Sequence, residues 1–455
     1  MRNPASFRDP SGFVFHENGK VFRTISYTYK NDYDHLISSG LYGELVSKKM
    51  LVPHEEVEND KLADSDIYKI IQPRKVSFIS YPYEWCFSQL KDAALLTLAV
   101  QETAIRYGMS LKDASAYNVQ FIDGKPVLID TLSFELFDEH KPWIAYNQFC
   151  RHFAAPLALM AYRNIDLGKL LMVYLDGIPL DLASSLLSFK DKLHLWVLIH
   201  IVMHARAQAK FALKKSAIKE NKNKLSINSH KRLIDSLRSL ISSLHLKERT
   251  SIWNEYYEEN HTDEYYAHKK ELVTSFLDIA KPENIWDLGA NTGLFSRIAA
   301  ERDIKVVSSD FDARSVEMNY QMMKRSNEKN ILPLIVDLTN PSPAIGWGNS
   351  ERESLLGRGP VDMVMALALV HHLAIGNNLP FSNIAELFSK VCKWLIIEFV
   401  PKNDPKVKFL LRSRKDIFLG YDEEEFETEF LKFFSIEQKN EINGSRRKLY
   451  LMKKR

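Results

Sequence analysis

The chain has 455 residues, 45% of them hydrophobic and 26% charged. That balance excludes a disordered chain and, at roughly 100–200 residues per domain, predicts two domains or three, two first. The formal net charge of +3 excludes a large single-sign field, so the bulk charge carries no nucleic-acid signal.

Three cysteines, Cys86, Cys150 and Cys392, are too few and too scattered for a disulfide framework or a zinc pattern, and they fit a reducing compartment. The opening MRNPASFRDPSG lacks the apolar run of a signal peptide. The most apolar stretch, Leu193–Ala205, is too short and too rich in histidine to span a bilayer. A cytoplasmic location without a membrane span is expected.

In chain order, "SGFVFHENGKVFRTIS" predicts two strands about an Asn18-Gly19 turn. "NDYDHLISSGLYGELVSKKML" predicts helix, "YKIIQPRKVSFISYPYEW" further strands, and Phe87–Tyr107 one long helix. A loop, a short hairpin and several helices follow. Residues 1–215 therefore form an N-terminal accessory domain of α+β type. The stretch "RAQAKFALKKSAIKENKNKLSINSHKR" is rich in Lys and Asn, with no interleaved aromatic rings to stack bases. It is expected to be a solvated connector, so that residues 216–250 supply a basic linker and a helix start.

From residue 251 to 455 strands and helices alternate. "NIWDLGA", "KVVSSDF", "LPLIVDL", "VDMVMALAL", "WLIIEFV", "FFSIEQKNEI" and "RKLYLMKK" are apolar runs, most of them separated by helical segments. Such runs predict a Rossmann-like α/β domain of seven strands, mostly parallel and covered on both faces. The last two strands are joined through Asn443-Gly444, a hairpin dipeptide.

The loop from Asp287 to Gly293, DLGANTG, follows the first of these strands. Gly289 and Gly293 permit φ > 0 and leave no Cβ in the way of a ligand. An acid ahead of the glycines disfavours a pyrophosphate and suits a cationic ligand. The pattern resembles motif I of class I S-adenosylmethionine (SAM) dependent methyltransferases, with Asn291 in place of a glycine. The resemblance implies that Asp287, Gly289, Asn291 and Gly293 hold SAM. It also implies that Asp310, with Asp312 in reserve, accepts the ribose hydroxyls, and that Asp337 and Leu338 meet the adenine. Two acceptor oxygens on one carboxylate suit a vicinal diol. His371 and His372 after the fourth strand, and Glu398 at the end of the fifth, are the candidate bases. Adjacent residues of a strand face opposite ways, so no metal site is expected from the histidine pair. Tyr256, Tyr257, Tyr265 and Tyr266 are candidates to close over a sulfonium. Asn340-Pro-Ser-Pro343 follows the third strand rather than the fourth and reads as a loop.

In the first half, "KDASAYNVQFIDGKPVLID" places Asp113, Asn118 and Asp130 as a kinase catalytic loop and metal-binding strand place theirs, and is similar to them. No Gly-rich loop or V-A-I-K lysine accompanies them, so a degenerate kinase-like fold acting as a scaffold is expected. The two-part layout as a whole resembles the bacterial methyltransferase family that includes the nodulation protein NoeA. The resemblance implies methyl transfer from SAM to an unidentified acceptor: a small molecule, a glycan or lipid precursor, or a protein. A noncatalytic SAM-binding scaffold and a bifunctional kinase–methyltransferase are the alternatives.

Overall fold

The computed structural model describes residues 2–58, 66–213, 226–247, 263–412 and 416–455. The chain divides into two compact units, 1–248 with 345–352, and 249–344 with 353–455. No helix among the described residues is long and apolar enough to cross a membrane.

The first unit opens with an antiparallel sheet in the order β1-β2-β4-β3. Its strands are β1 (Val14–Glu17), β2 (Lys20–Ser26), β3 (His54–Val57) and β4 (Ile67–Pro73). Asn18 and Gly19, at φ 50° and 74°, form the turn between β1 and β2. Both positions need left-handed backbone, which Asn and Gly adopt at least cost. Two helices, Lys30–Ser38 and Leu41–Ser47, connect β2 to β3. Only the first part of the predicted strand region after Tyr68 is a strand: Pro82–Glu84 is a 3-10 turn.

The helix Phe87–Arg106 is nearly enclosed by its unit. The Gln89 side chain accepts the Cys86 amide and caps its start. The amphipathic helix Ile227–Ser243 belongs to the same unit, burying Ile234, Leu237, Leu240 and Ile241. Lys91 reaches its C-terminal carbonyls at Ser242 and Leu244. Between these helices in sequence lie β5 (Met109–Leu111), β6 (Val119–Ile122), β7 (Lys125–Leu128) and β8 (Phe134–Leu136). β6 and β7 form the predicted hairpin, and β5 pairs with β8.

The second unit is built on seven strands in the order β11-β10-β9-β12-β13-β15-β14. They are β9 (Asn284–Leu288), β10 (Lys305–Asp310), β11 (Ile331–Ile335), β12 (Val361–Ala366), β13 (Cys392–Phe399), β14 (Phe434–Glu441) and β15 (Lys448–Lys454). The first five are parallel; β15 runs antiparallel to both β13 and β14. All seven fall on the apolar runs of the sequence. Ile396 of β13 packs with Phe276, Leu277 and Phe295 on one face. Phe399 meets Phe381 and Phe426 on the other. Helices thus cover both faces, and the alternation of side chains along each strand feeds both cores.

Chain order reverses at β9, which has β10 on one side and β12 on the other. In an open α/β sheet the crevice at the carboxyl ends of two such strands is where ligands bind.

Candidate functional site

A cavity of about 470 Å³ opens at that crevice. Asp287 and Gly289 from the end of β9, Asp310 from the end of β10, and Asp337 and Leu338 beyond β11 line it. So do Asn291 of the first loop and His372 beyond β12. Of the described residues selected for this site, Gly293, Asp312, His371 and Glu398 do not line it.

The loop after β9 is held by its neighbour strand. The amides of Gly289 and Ala290 both donate to the Ser309 carbonyl, at 2.9 Å each. The Asn291 amide donates to Asp310 Oδ2 at 2.8 Å, and the Asp312 amide to Asp310 Oδ1 at 3.0 Å. The Phe311 amide also donates to this carboxylate. Burial pushes its pKa up to about 6, although these backbone donors favour the charged form. Asp312, the reserve, instead caps the helix Ala313–Ser326, accepting the amides of Arg314 and Ser315.

Asp287 is only 1% exposed. Its Oδ2 lies 2.6 Å from Ser296 Oγ, and burial pushes its pKa up to about 7. Asp337 is exposed and accepts the Thr339 amide and hydroxyl. None of Asp287, Asp310 and Asp337 is in an ion pair among the described residues.

The two loop glycines differ. At Gly289, φ 75°, an added Cβ would press Leu369 Cδ1 at 3.1 Å, next to the cavity. At Gly293, φ 80°, it would fall 2.5 Å from Asn319 Oδ1. Asn319 is buried and donates to Ser308 Oγ at 2.9 Å. Gly293 therefore seats the loop on the helix behind it rather than facing a ligand.

Glu398, expected as a base, is fully buried and already saturated. It pairs with Lys269 and with Arg447, and accepts the Tyr265 hydroxyl at 3.0 Å and the Ala368 amide at 2.9 Å. Burial alone would raise its pKa; Lys269 and Arg447 outweigh that and hold it at about 2. A carboxylate of such low basicity cannot serve as a general base near neutrality. Its work is structural: it ties the helix Asp263–Ala280 and the residue before β15 to the end of β12. Ala368 lies at φ 49°, an uncommon conformation for a residue with a Cβ, directly on the cavity.

His371 and His372 do not alternate across a strand, because β12 has already ended at Ala366. Their rings lie side by side, 4.1 Å between centroids. His371 is fully buried, and neither ring nitrogen has a hydrogen-bond partner among the described residues. Burial depresses both imidazoles, His371 well below its ordinary value and His372 to about 4. His372 alone borders the cavity, as a neutral ring at pH 7. Among the described residues no group of His, Cys, Asp and Glu could hold a metal ion.

Tyr265 and Tyr266 also line the cavity; Tyr256 and Tyr257 lie outside the described residues. Sequence reading missed Lys269 and Arg447. Lys269 had a signal: it sits four residues from Tyr265 and four from Val273, on the apolar stripe of its helix. Arg447 had none.

In the first unit Asp113, Asn118 and Asp130 do come close together. Asn118 Nδ2 donates to Ser133 Oγ, which donates to Asp130 Oδ2. But Arg23 bridges Asp9, at 2.6 Å, and Asp130, at 2.9 Å. A guanidinium thus occupies the carboxylate that a metal would need. Asp113 accepts the Ser115 amide, and burial raises its pKa.

No family model matches the sequence. In solved structures the chain is similar to the N-methyltransferase NodS from Bradyrhizobium japonicum WM9, at 11% identity, covering 42% of this chain and 97% of that one, with a TM-score of 0.32. It is similar to the magnesium protoporphyrin IX methyltransferase ChlM from Synechocystis PCC 6803 with bound SAM, at 15% identity over 45% of this chain and 89% of that one, TM-score 0.30. It is similar to the bifunctional kinase-methyltransferase WbdD, at 16% identity over 47% of this chain and 45% of that one, TM-score 0.30. Among curated proteins it is 34% identical over 456 residues to the nodulation protein NoeA of Rhizobium meliloti (strain 1021), covering 99% of this chain and 95% of that one. Identity at that level through the whole of both chains is a family relationship, and the chain belongs to the family of the nodulation protein NoeA.

Proposed function

We propose that the second unit binds S-adenosylmethionine and that the protein transfers its methyl group to an oxygen or nitrogen of an acceptor. The observation that carries the proposal is the trio Asp287, Asp310 and Asp337 at three neighbouring strand ends around one cavity, none of them ion-paired among the described residues. A pyrophosphate would be repelled by that set; a cation carrying a diol and a flat ring fits it. Asp310 would accept the two ribose hydroxyls. Leu338 and Val336 offer an apolar wall to the adenine, with Asp337 beside its amino group. Tyr265 and Tyr266 line the cavity as aromatic rings that a positive charge could meet.

SAM supplies a sulfonium methyl that leaves readily once a nucleophile is aligned. The protein's share is then position and, for a hydroxyl acceptor, a proton acceptor. His372 is the candidate for that: its imidazole borders the cavity and, neutral at pH 7, can take a hydrogen bond from the acceptor. Burial, which lowers its pKa to about 4, makes it a weak base that orients the hydroxyl more than it holds the proton. The strained turn at Ala368, fastened by Glu398, sets the wall from which His372 follows.

The test is Asp310→Ala in the full chain. Charge-assisted hydrogen bonds contribute about 1.5–3 kcal/mol each, so SAM affinity should fall at least about tenfold by calorimetry. Unchanged affinity would remove the ribose assignment.

A further inference from the structure

The first unit contains a second cavity, of about 830 Å³. Its floor is the Asp113–Asn118 turn, and Lys112, Arg151 and Arg352 are in its walls. Arg352 comes from residues 345–352, which belong to this unit.

The three cations share one property: none has a carboxylate within ion-pair distance among the described residues. Lys112 Nζ donates to Ser11 Oγ and lies 4.3 Å from the Tyr29 ring centre. Arg151 donates Nη2 to the Gly177 carbonyl at 3.1 Å. The Arg352 guanidinium lies over the Tyr117 ring at 4.3 Å and donates Nη1 to the Glu351 carbonyl. Among the described residues the Nε atoms of Arg151 and Arg352 are buried without hydrogen-bond partners, as is Nδ1 of His152, a wall residue 2% exposed. The acids present do not neutralise them. Glu351 is engaged by Arg8 at 2.6 Å, Asp113 by its own turn, and Asp176 lies exposed at the edge.

Gathering like charges around one cavity costs free energy unless an anion answers them. Guanidinium forks match the oxygens of phosphate best. The rim is of another kind: Ile144, Val173 and Trp347 are 66%, 69% and 74% exposed. Large apolar side chains left in water beside a charged pocket suit a ligand with an organic body, and an indole face suits a ring.

We propose that this cavity binds a phosphate ester, its phosphate held by Arg151, Arg352 and Lys112 and its body laid against Trp347. It is a binding site and not a site of phosphoryl transfer, because Arg23 already occupies Asp130. The ester can come from a soluble sugar phosphate or from a lipid phosphate.

The test is calorimetry on the full chain with glucose 1-phosphate, dihexanoyl phosphatidic acid and, as control, glucose. One or both esters should bind and glucose should not; whichever ester binds names the source. Arg151→Gln and Arg352→Gln should each weaken binding by at least about tenfold. Trp347→Ala, an exposed change that leaves folding intact, should weaken it several-fold. Asp130→Asn should leave it unchanged. The site is overturned if neither ester binds, if glucose binds equally, or if all three weakening variants keep wild-type affinity. Magnesium-dependent ATP binding that Asp130→Asn abolishes would overturn it in favour of a nucleotide site.

Discussion

Asp310 in the second unit and Asp130 in the first each lie at or just after the end of a strand, yet Asp310 meets backbone amides where Asp130 meets a guanidinium. The cations show the opposite division. Lys269 and Arg447 beside the second unit's cavity are neutralised by Glu398 and Asp404, while Lys112, Arg151 and Arg352 of the first unit have no such partner among the described residues. Among the described residues the second unit's cavity has its cations paired and three acids unpaired, and the first unit's cavity has three cations that its acids, Asp113 and Asp176 included, do not pair. The residue types are alike; which charges are cancelled internally decides the sign of the ligand each cavity can answer.

The largest effect should come from undoing the cancellation in the second unit. Glu398→Ala leaves Lys269 buried without its carboxylate partner, with Asp287 the acid that still bears on it, and breaking a buried pair costs about 3–5 kcal/mol. The urea midpoint of the full chain should drop accordingly, and Ala368 should lose its anchor. A midpoint within experimental error of wild type would show that Lys269 is hydrated and that the comparison fails.

A smaller effect concerns pH. Burial raises Asp287 to about 7 and Asp310 to about 6, above their unfolded values. A carboxyl with a raised folded pKa contributes stability that is fully present below the unfolded pKa and is lost as pH rises through the folded one. Relative to Asp287→Asn, ligand-free wild type should therefore lose melting temperature from about pH 4 to about pH 7, while the buried His371 and His372, with depressed pKa values, act in the opposite sense in both proteins. Parallel curves for the two proteins would mean that Asp287 is charged throughout.

The smallest effect is in the first unit. Arg23 and Asp130 are 15% and 13% exposed, so their pair lies between a surface and a buried one. Arg23→Met should cost about 1–2 kcal/mol in a denaturation midpoint. It should also uncover Asp130, sharpening the comparison if magnesium then binds weakly where the wild type binds none. Metal binding by the wild type would break it.

Much of the fold was legible because it is local. The seven apolar runs, the Asn18-Gly19 and Asn443-Gly444 turns and the helix from Phe87 all follow from period, run length and turn chemistry. The strand-end positions of Asp287 and Asp310 follow from the same runs. Where the pattern misled, contacts distant in sequence were responsible. Glu398 looks like any strand-end acid until Lys269, 129 positions earlier, reaches it. His371 and His372 looked like strand neighbours because the apolar run outlasts β12. Gly293 looked like a ligand glycine although its missing Cβ makes room for Asn319.

The sequence by itself therefore determined the order of strands and helices and which side chains stand at strand ends, since each depends on neighbours a few residues away. Only the tertiary structure decided which charges remain available. An ion pair such as Arg23 with Asp130, or Glu398 with Arg447, joins positions that no local period relates. The strength of such a pair is set by distance and burial, which exist only once the chain has folded.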